Sequence, residues 1–386
     1  MHPKPRLWIA IGGLSVTASV VECDLLNTPE PTPTGGFLSA ARVTLETVIA
    51  TDDFPVGMVF LPDGALLYAE KNTGRVRAVT PDGVLQERPF ADFAVANLGD
   101  AGLIGLALDP DFASNGFVYA ALTANAASAD NALPRTDLRI VRIRANGLAA
   151  APGSETTIAV VPGDPAPGHE GGNVHCGPDR RLYLTIGDRH LNGFPNDAAQ
   201  DPAADAGRFM RFNRDGTVPA DNPFGSDNPT FAIGMRNSFD FTFDPQSGLL
   251  FATENGPIRD DELNIVEAGM NYGWPRVSGA TDLPEEAAFA ASAPDYREPV
   301  ILLGRAPTGI AFNMHDAYGA DLRGDLFIAE YVAGRVVRLR LSDDRRTVVE
   351  TEVFAEGISG GINDLEFSPD GLIYLSTSEA ILRLVP

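Results

Sequence analysis

Three short segments hold the residue types from which chemistry could be built. In Gly168-His169-Glu170-Gly171-Gly172 a histidine stands among glycines. The glycines let backbone approach a ligand closely, and an imidazole that titrates near neutrality suits proton abstraction. Gly234-Met235-Arg236-Asn237 puts a charged donor beside a neutral one, a pairing that stabilises developing negative charge on oxygen. The third segment runs from Glu254 through Asn255, Gly256, Pro257, Asp260, Asp261 and Glu262 to Asn264, and continues as Asn271-Tyr272-Gly273-Trp274-Pro275. Its four carboxylates, two asparagines and Gly-Pro carbonyls are hard oxygen donors of the kind Ca²⁺ prefers, although the spacing is not that of an EF-hand. Each segment taken alone also fits a solvated loop. Other catalytic patterns are missing: there is no Gly-rich phosphate loop, no His-Glu-x-x-His helix and no Gly-x-Ser-x-Gly elbow. With five histidines in the chain, a multi-histidine metal site is disfavoured. His175 and Cys176 alternate on one apolar run and read as packing.

Loops of this kind need a frame that brings them together, and the frame is visible as a repeat. A short apolar strand, a Pro-Asp-Gly turn or a relative of it, and a second apolar strand recur along the chain. The copies centre on Pro62-Asp63-Gly64, Pro110-Asp111, Pro178-Asp179, Pro245 and Pro369-Asp370-Gly371, with a degenerate copy over Gly309–Ala329. Pro62 and Pro369 bracket five intervals of about 61 residues each, enough for a four-stranded blade with its loops. The expected fold is all-β, a six-bladed β-propeller over residues 41–386. The alternating segment Ala41–Ala50 would pair with Ile381–Val385 to close the ring and remove open sheet edges. At one end of such a ring, loops distant in sequence converge.

Composition narrows the partners. The 386 residues carry 29 Lys+Arg against 52 Asp+Glu, a net charge of −23, which repels nucleic acid. With 44% hydrophobic residues the chain has ample material for a core. Two cysteines, Cys23 and Cys176, cannot form a disulfide scaffold or a cysteine zinc site. His2, Lys4 and Arg6 precede the apolar run Leu7–Leu14, and small residues follow at Val16-Thr17-Ala18. That is the form of a secretory signal peptide over residues 1–22. A Pro/Thr/Gly-rich linker follows over 23–40, so the expected location is extracellular or periplasmic. Membrane attachment would require Cys23 to be a lipid-bearing cysteine, and Glu22 stands where such sites prefer a small residue.

The order of these motifs resembles the soluble glucose/sorbosone dehydrogenases, also called aldose sugar dehydrogenases. The shared run is His169-x-Gly171-Gly172, Thr185-Ile186-Gly187-Asp188, Arg236-Asn237, Glu254-x-Gly256-Pro257-x-x-Asp260-Asp261-Glu262-Leu263-Asn264 and Asn271-Tyr272-Gly273-Trp274-Pro275. The likeness extends from about residue 54 to 386. It implies a six-bladed propeller that uses pyrroloquinoline quinone (PQQ) and Ca²⁺ to oxidise a sugar and passes the electrons to an acceptor. By the same resemblance His169 is the general base, and Arg236 and Asn237 contact the quinone oxygens. Gly256 and Pro257 offer carbonyls to Ca²⁺, with Asp261, Glu262 and Tyr272 as further ligands or supports. Asn192 and Asn363 fall near the cofactor, and Asp100 and Gln200 near the sugar.

The chain also departs from that pattern. Where the family commonly carries Arg-x-Arg-Asp for the cofactor's carboxylates, it has Gly361-Ile362-Asn363-Asp364, and Val332 replaces a lysine found in some members. Arg335, Arg189 and Arg305 are the cations left to substitute. Two other expectations therefore stand beside the dehydrogenase: a secreted propeller that binds a partner or glycan without catalysis, and a calcium-dependent sugar lactonase.

Overall fold

The computed structural model describes residues 43–51, 53–125, 136–163, 168–189 and 196–386. The expected signal peptide and linker, Cys23 and Asn192 lie outside them. Six antiparallel sheets follow one another along the chain. The first blade spans Pro55–Asp92, the second Leu103–Val161 and the third Val174–Ile233. The fourth spans Ser238–Leu302 and the fifth Pro307–Ala355. The sixth joins Ile362–Phe367, Ile373–Thr377 and Ala380–Val385 to the N-terminal strand Thr44–Ala50. The ring closes as expected, with Leu45 opposite Leu384 and Ile49 opposite Ile381. Five sheets have four strands; the second has a fifth, Ala149–Ala150, paired to the end of Thr136–Asn146. The described α-helices are the short Phe112–Asn115 and Pro284–Ser292, beside 3₁₀ turns at Asp197–Gln200 and Ala320–Leu322, and none is long and apolar enough to cross a membrane.

The second strand of each blade explains the apolar runs. Leu66–Glu70, Leu182–Ile186, Leu250–Glu254 and Leu326–Glu330 are buried at every position. Flanking blades cover both faces, so polar alternation disappears. The first strands meet around the axis, and short polar side chains there bridge blades. Asp240 accepts from Ile310 N at 3.1 Å and from His175 Nε2 at 2.9 Å. Asp364 accepts from Met58 N at 2.7 Å across the seam between the last blade and the first. Where the corresponding residue is Gly309, a Cβ would lie 2.2 Å from Leu365 N, so the backbones are too close for any side chain. Cys176 packs as expected, whereas His175 also hydrogen-bonds to Asp240 in the axial lining.

Candidate functional site

Each first strand runs from an entrance loop at one end of the ring to its Pro-Asp turn at the other. The ends of the second strands return to the entrance side, because neighbouring strands are antiparallel. Ser238 pairs with Glu254, and Pro307 with Glu330. His169, Arg236, Asp188 and the Glu254–Asp261 loop, dispersed in sequence, are thereby brought to one end of the propeller.

His169 is 9% exposed and adopts φ 54°. Its backbone N–H donates to Asp100 Oδ2 at 2.7 Å, and its Nδ1 lies 2.7 Å from Asp188 Oδ1. The other Asp188 oxygen accepts from Trp274 Nε1 at 2.7 Å, and Asp188 N donates to Arg236 O at 2.7 Å. Asp188 is fully buried. Trp274 is held in turn by its N–H on Gly234 O at 3.0 Å and by Gln200 Nε2 on its carbonyl at 2.7 Å. The Arg236 guanidinium carbon lies 5.4 Å from the indole centroid, and Nη1 donates to Asn255 O and Gly256 O at 2.8 and 2.9 Å. Burial pulls the Arg236 pKa below its ordinary value, against the opposing charges of Asp188, Glu254 and Asp261. Base, orienting carboxylate, indole and guanidinium thus form one continuous hydrogen-bonded and stacked group.

A buried acid–cation pair stands one residue beyond His169 and Asp188 in sequence. Glu170 follows His169 and Arg189 follows Asp188; Arg189 Nε stands 3.5 Å from Glu170 Oε2 with both residues buried. Burial pushes the Glu170 carboxyl up to about 7, opposed by Arg189 and reinforced by Asp100. Trp274, the one tryptophan of the folded part, reads from the sequence as a structural anchor, but neither the Glu170–Arg189 pair nor the role of Asp188 as a support does; the only signal for them is a charged residue after each of His169 and Asp188.

Comparisons with known proteins place the chain in a family. A family model described as Glucose / Sorbosone dehydrogenase matches residues 52–385. The chain belongs to the glucose/sorbosone dehydrogenase family. An uncharacterised protein of Synechocystis is 32% identical over 99% of this chain and 98% of its own. A solved Thermus thermophilus structure, described as a putative oxidoreductase (glucose dehydrogenase), superposes with a TM-score of 0.74 at 31% identity. It covers 89% of this chain and 100% of that one. The PQQ-bound aldose sugar dehydrogenase of Streptomyces coelicolor gives 0.70 at 27% identity, over 90% and 99% of the two chains. This family is one of sugar dehydrogenases, which makes the chain an oxidoreductase by kinship.

Within this dehydrogenase-family chain, several residues expected at the cofactor are committed elsewhere. Asn363 donates its amide to Pro55 O at 2.9 Å across the ring seam, so part of its side chain serves ring closure. Tyr272 donates to Ile265 O at 2.6 Å and accepts from Glu267 N at 2.9 Å, so its hydroxyl supports the turn that follows the oxygen-rich loop. Gln200 Nε2 donates to Asn271 Oδ1 and to the Trp274 backbone carbonyl, and so reaches the site through the Trp274 backbone. Asp100 is in place through His169 N, with Lys71 Nζ bonded to the adjacent Gly99 O at 2.7 Å. Asn237 offers its backbone N–H to Glu254 Oε1. Of the substitute cations, Arg189 is paired with Glu170 and Arg335 with Glu330.

The oxygen-rich loop fits a hard cation in part. Among the described residues no three His, Cys, Asp or Glu side chains gather closely enough to hold a metal, so carbonyls would have to contribute. Asp261 has one oxygen on Gly256 N and the other on Ala306 N, both at 2.8 Å. It thereby shapes the Gly256-Pro257 turn. Glu262 accepts from Gly279 N and Asn264 Nδ2, while the buried Asn264 Oδ1 has no hydrogen-bond donor among the described residues. Burial, with the nearby Glu254 charge, raises Glu262 to about 8. A buried carboxylate beside an orphaned amide oxygen is the donor chemistry Ca²⁺ would satisfy.

Proposed function

We propose that this chain is an exported dehydrogenase that oxidises an aldose or a related sugar at C1, with PQQ as cofactor and Ca²⁺ in the oxygen-rich loop. The observation that carries this reading is the His169–Asp188 pair beside an Arg236 anchored on Trp274 and on the Asn255 and Gly256 carbonyls. Asp188 on Nδ1 keeps the ring in the tautomer whose Nε2 lone pair is unprotonated, as a base that accepts a hydroxyl proton requires. Arg236 presents positive charge where negative charge would develop on a bound acceptor's oxygen. The bound quinone would supply the two-electron chemistry, with Ca²⁺ as its Lewis acid. An external acceptor then takes the electrons, and the acidic surface keeps nucleic acid out of the list of partners. Export rests on the sequence of residues 1–22 alone.

Titration of PQQ into the Ca²⁺-loaded protein tests this directly, followed by a sugar panel with a dye acceptor. Saturable binding and His169-dependent dye reduction are the expected results. Sugar oxidation by His169→Ala at the parent rate would sink the reading. The sixth-blade departure at Gly361 and Asn363 favours one other reading, a propeller that binds a glycan or partner without catalysis. Absence of quinone binding would support that one.

A further inference from the structure

The entrance loops occupy equivalent positions, and the equivalence points to one residue with no assigned role. His169, Arg236 and Arg305 each stand nine residues before the corner residue of their blade's turn, namely Pro178, Pro245 and Met314. The ladders give the same register: Arg236 and Arg305 each lie two residues before the residue that pairs with the glutamate ending the second strand, Glu254 or Glu330. Three consecutive blades thus contribute a His, an Arg and an Arg at one height of the ring. The remaining blades have Asp53, Ala101 and Gly360 at that place.

The first two members of that row are already in the site. The third is exposed, and among the described residues its side chain has no ion-pair partner. Its loop is fixed to the oxygen-rich loop, since Leu303 N donates to Asp261 O at 2.7 Å and Ala306 N to Asp261 Oδ2 at 2.8 Å. Asp261 is therefore adjacent, yet both its carboxylate oxygens serve backbone N–H groups. On the other side Ala306 O accepts from Tyr331 N at 2.9 Å. The Tyr331 ring, 38% exposed, fills the place a side chain at 361 would need: a Cβ on Gly361 would lie 2.4 Å from its Cε2. A guanidinium with no ion pair among the described residues, beside a partly exposed aromatic ring, recognises a planar anion, because both groups can lie against a π-system and the guanidinium binds carboxylate as well.

We propose that Arg305, backed by Tyr331, is the residue that binds a carboxylate of a planar aromatic ligand in this site, in place of a cation on the sixth blade. The ligand class rests on the dehydrogenase reading above, and PQQ is the probe. The test is calorimetric titration of PQQ, with saturating Ca²⁺, into the parent protein, Arg305→Ala, Arg305→Lys and Arg323→Ala. Arg323 is exposed beyond Ala320–Leu322, on the first-to-second-strand turn of the same blade, so its loss controls for net charge alone. The expected result is about tenfold weaker binding by Arg305→Ala, an intermediate effect of Arg305→Lys, and parental binding by Arg323→Ala. The defect should shrink as salt is raised. Because the Arg305 side chain is exposed, thermal midpoints should match, which makes a folding defect visible if there is one. Parental affinity in Arg305→Ala, or equal losses in Arg305→Ala and Arg323→Ala, would overturn the inference and leave the dehydrogenase reading intact. Failure of the parent itself to bind PQQ would overturn both.

Discussion

Asp188 holds the His169 ring with one carboxylate oxygen and the Trp274 indole with the other, each at 2.7 Å. A single buried carboxylate therefore sets the orientation of the base and of the surface beneath Arg236. Asp188→Asn keeps the size of the side chain but can turn an amide N–H toward Nδ1, which favours the tautomer with its proton on Nε2. The expected outcome is a loss of about 10²- to 10⁴-fold in kcat for sugar oxidation. The KM should change little. Steady-state kinetics with a dye acceptor checks this, and a change confined to KM would show that Asp188 positions substrate instead.

Gly187 tests the same geometry through the backbone. A Cβ there would lie 2.3 Å from His169 O and 2.7 Å from its Cβ, so Gly187→Ala must displace the base. Overpacking of this kind costs about 1–3 kcal/mol, and the catalytic loss should greatly exceed it. A kcat reduced at least a hundredfold with a thermal midpoint only a few degrees lower is the expected pair of results. Retained kcat would mean that the loop yields without moving the imidazole.

The propeller was legible because its signal is repeated. Six hairpins with related turns fix the blade count, and apolar strands at both ends of the chain announce the closure found between Leu45 and Leu384. His169, Arg236 and the Glu254–Asn264 loop were legible because catalytic residue types sat among glycines. What remained hidden depends on direction. Asn363 has the composition of a ligand, and only its bond to Pro55 O shows that it faces the seam. Tyr272 likewise turns its hydroxyl to the backbone. The Glu170–Arg189 pair joins residues nineteen apart, and nothing local in the sequence predicts that both are buried.

That pair gives the stability a pH dependence of definite sign. Burial lifts the Glu170 carboxyl to about 7, above the ordinary glutamate value of about 4.3. Between those limits the folded chain keeps a proton that the unfolded chain has released. Stability therefore falls as pH rises through the window, and the loss is complete above about pH 7. The size is about 3–4 kcal/mol for a shift of this order. Glu170→Gln removes the titration. Its stability relative to the parent should thus improve by roughly that amount between pH 4.5 and pH 8. Urea unfolding at the two pH values measures it, and parallel curves for parent and variant would refute it.

The orphaned Asn264 Oδ1 beside Glu262 makes cation binding visible without any catalytic assay. A cation that binds the folded chain alone stabilises it by about 2.7 kcal/mol at a hundred times its Kd. Millimolar Ca²⁺ should therefore raise the thermal midpoint by several degrees over the chelator-treated protein. Mg²⁺ should do less, because it demands tighter octahedral geometry and gives up water reluctantly. Glu262→Gln should abolish most of the Ca²⁺ response, since it removes the buried charge that a cation would neutralise. That variant should also be at least as stable as the parent in chelator, because burial makes the Glu262 carboxylate costly in the cation's absence. Identical midpoints for the parent in Ca²⁺ and in chelator would show that the buried Glu262–Asn264 group is stable as a purely structural element and takes no metal.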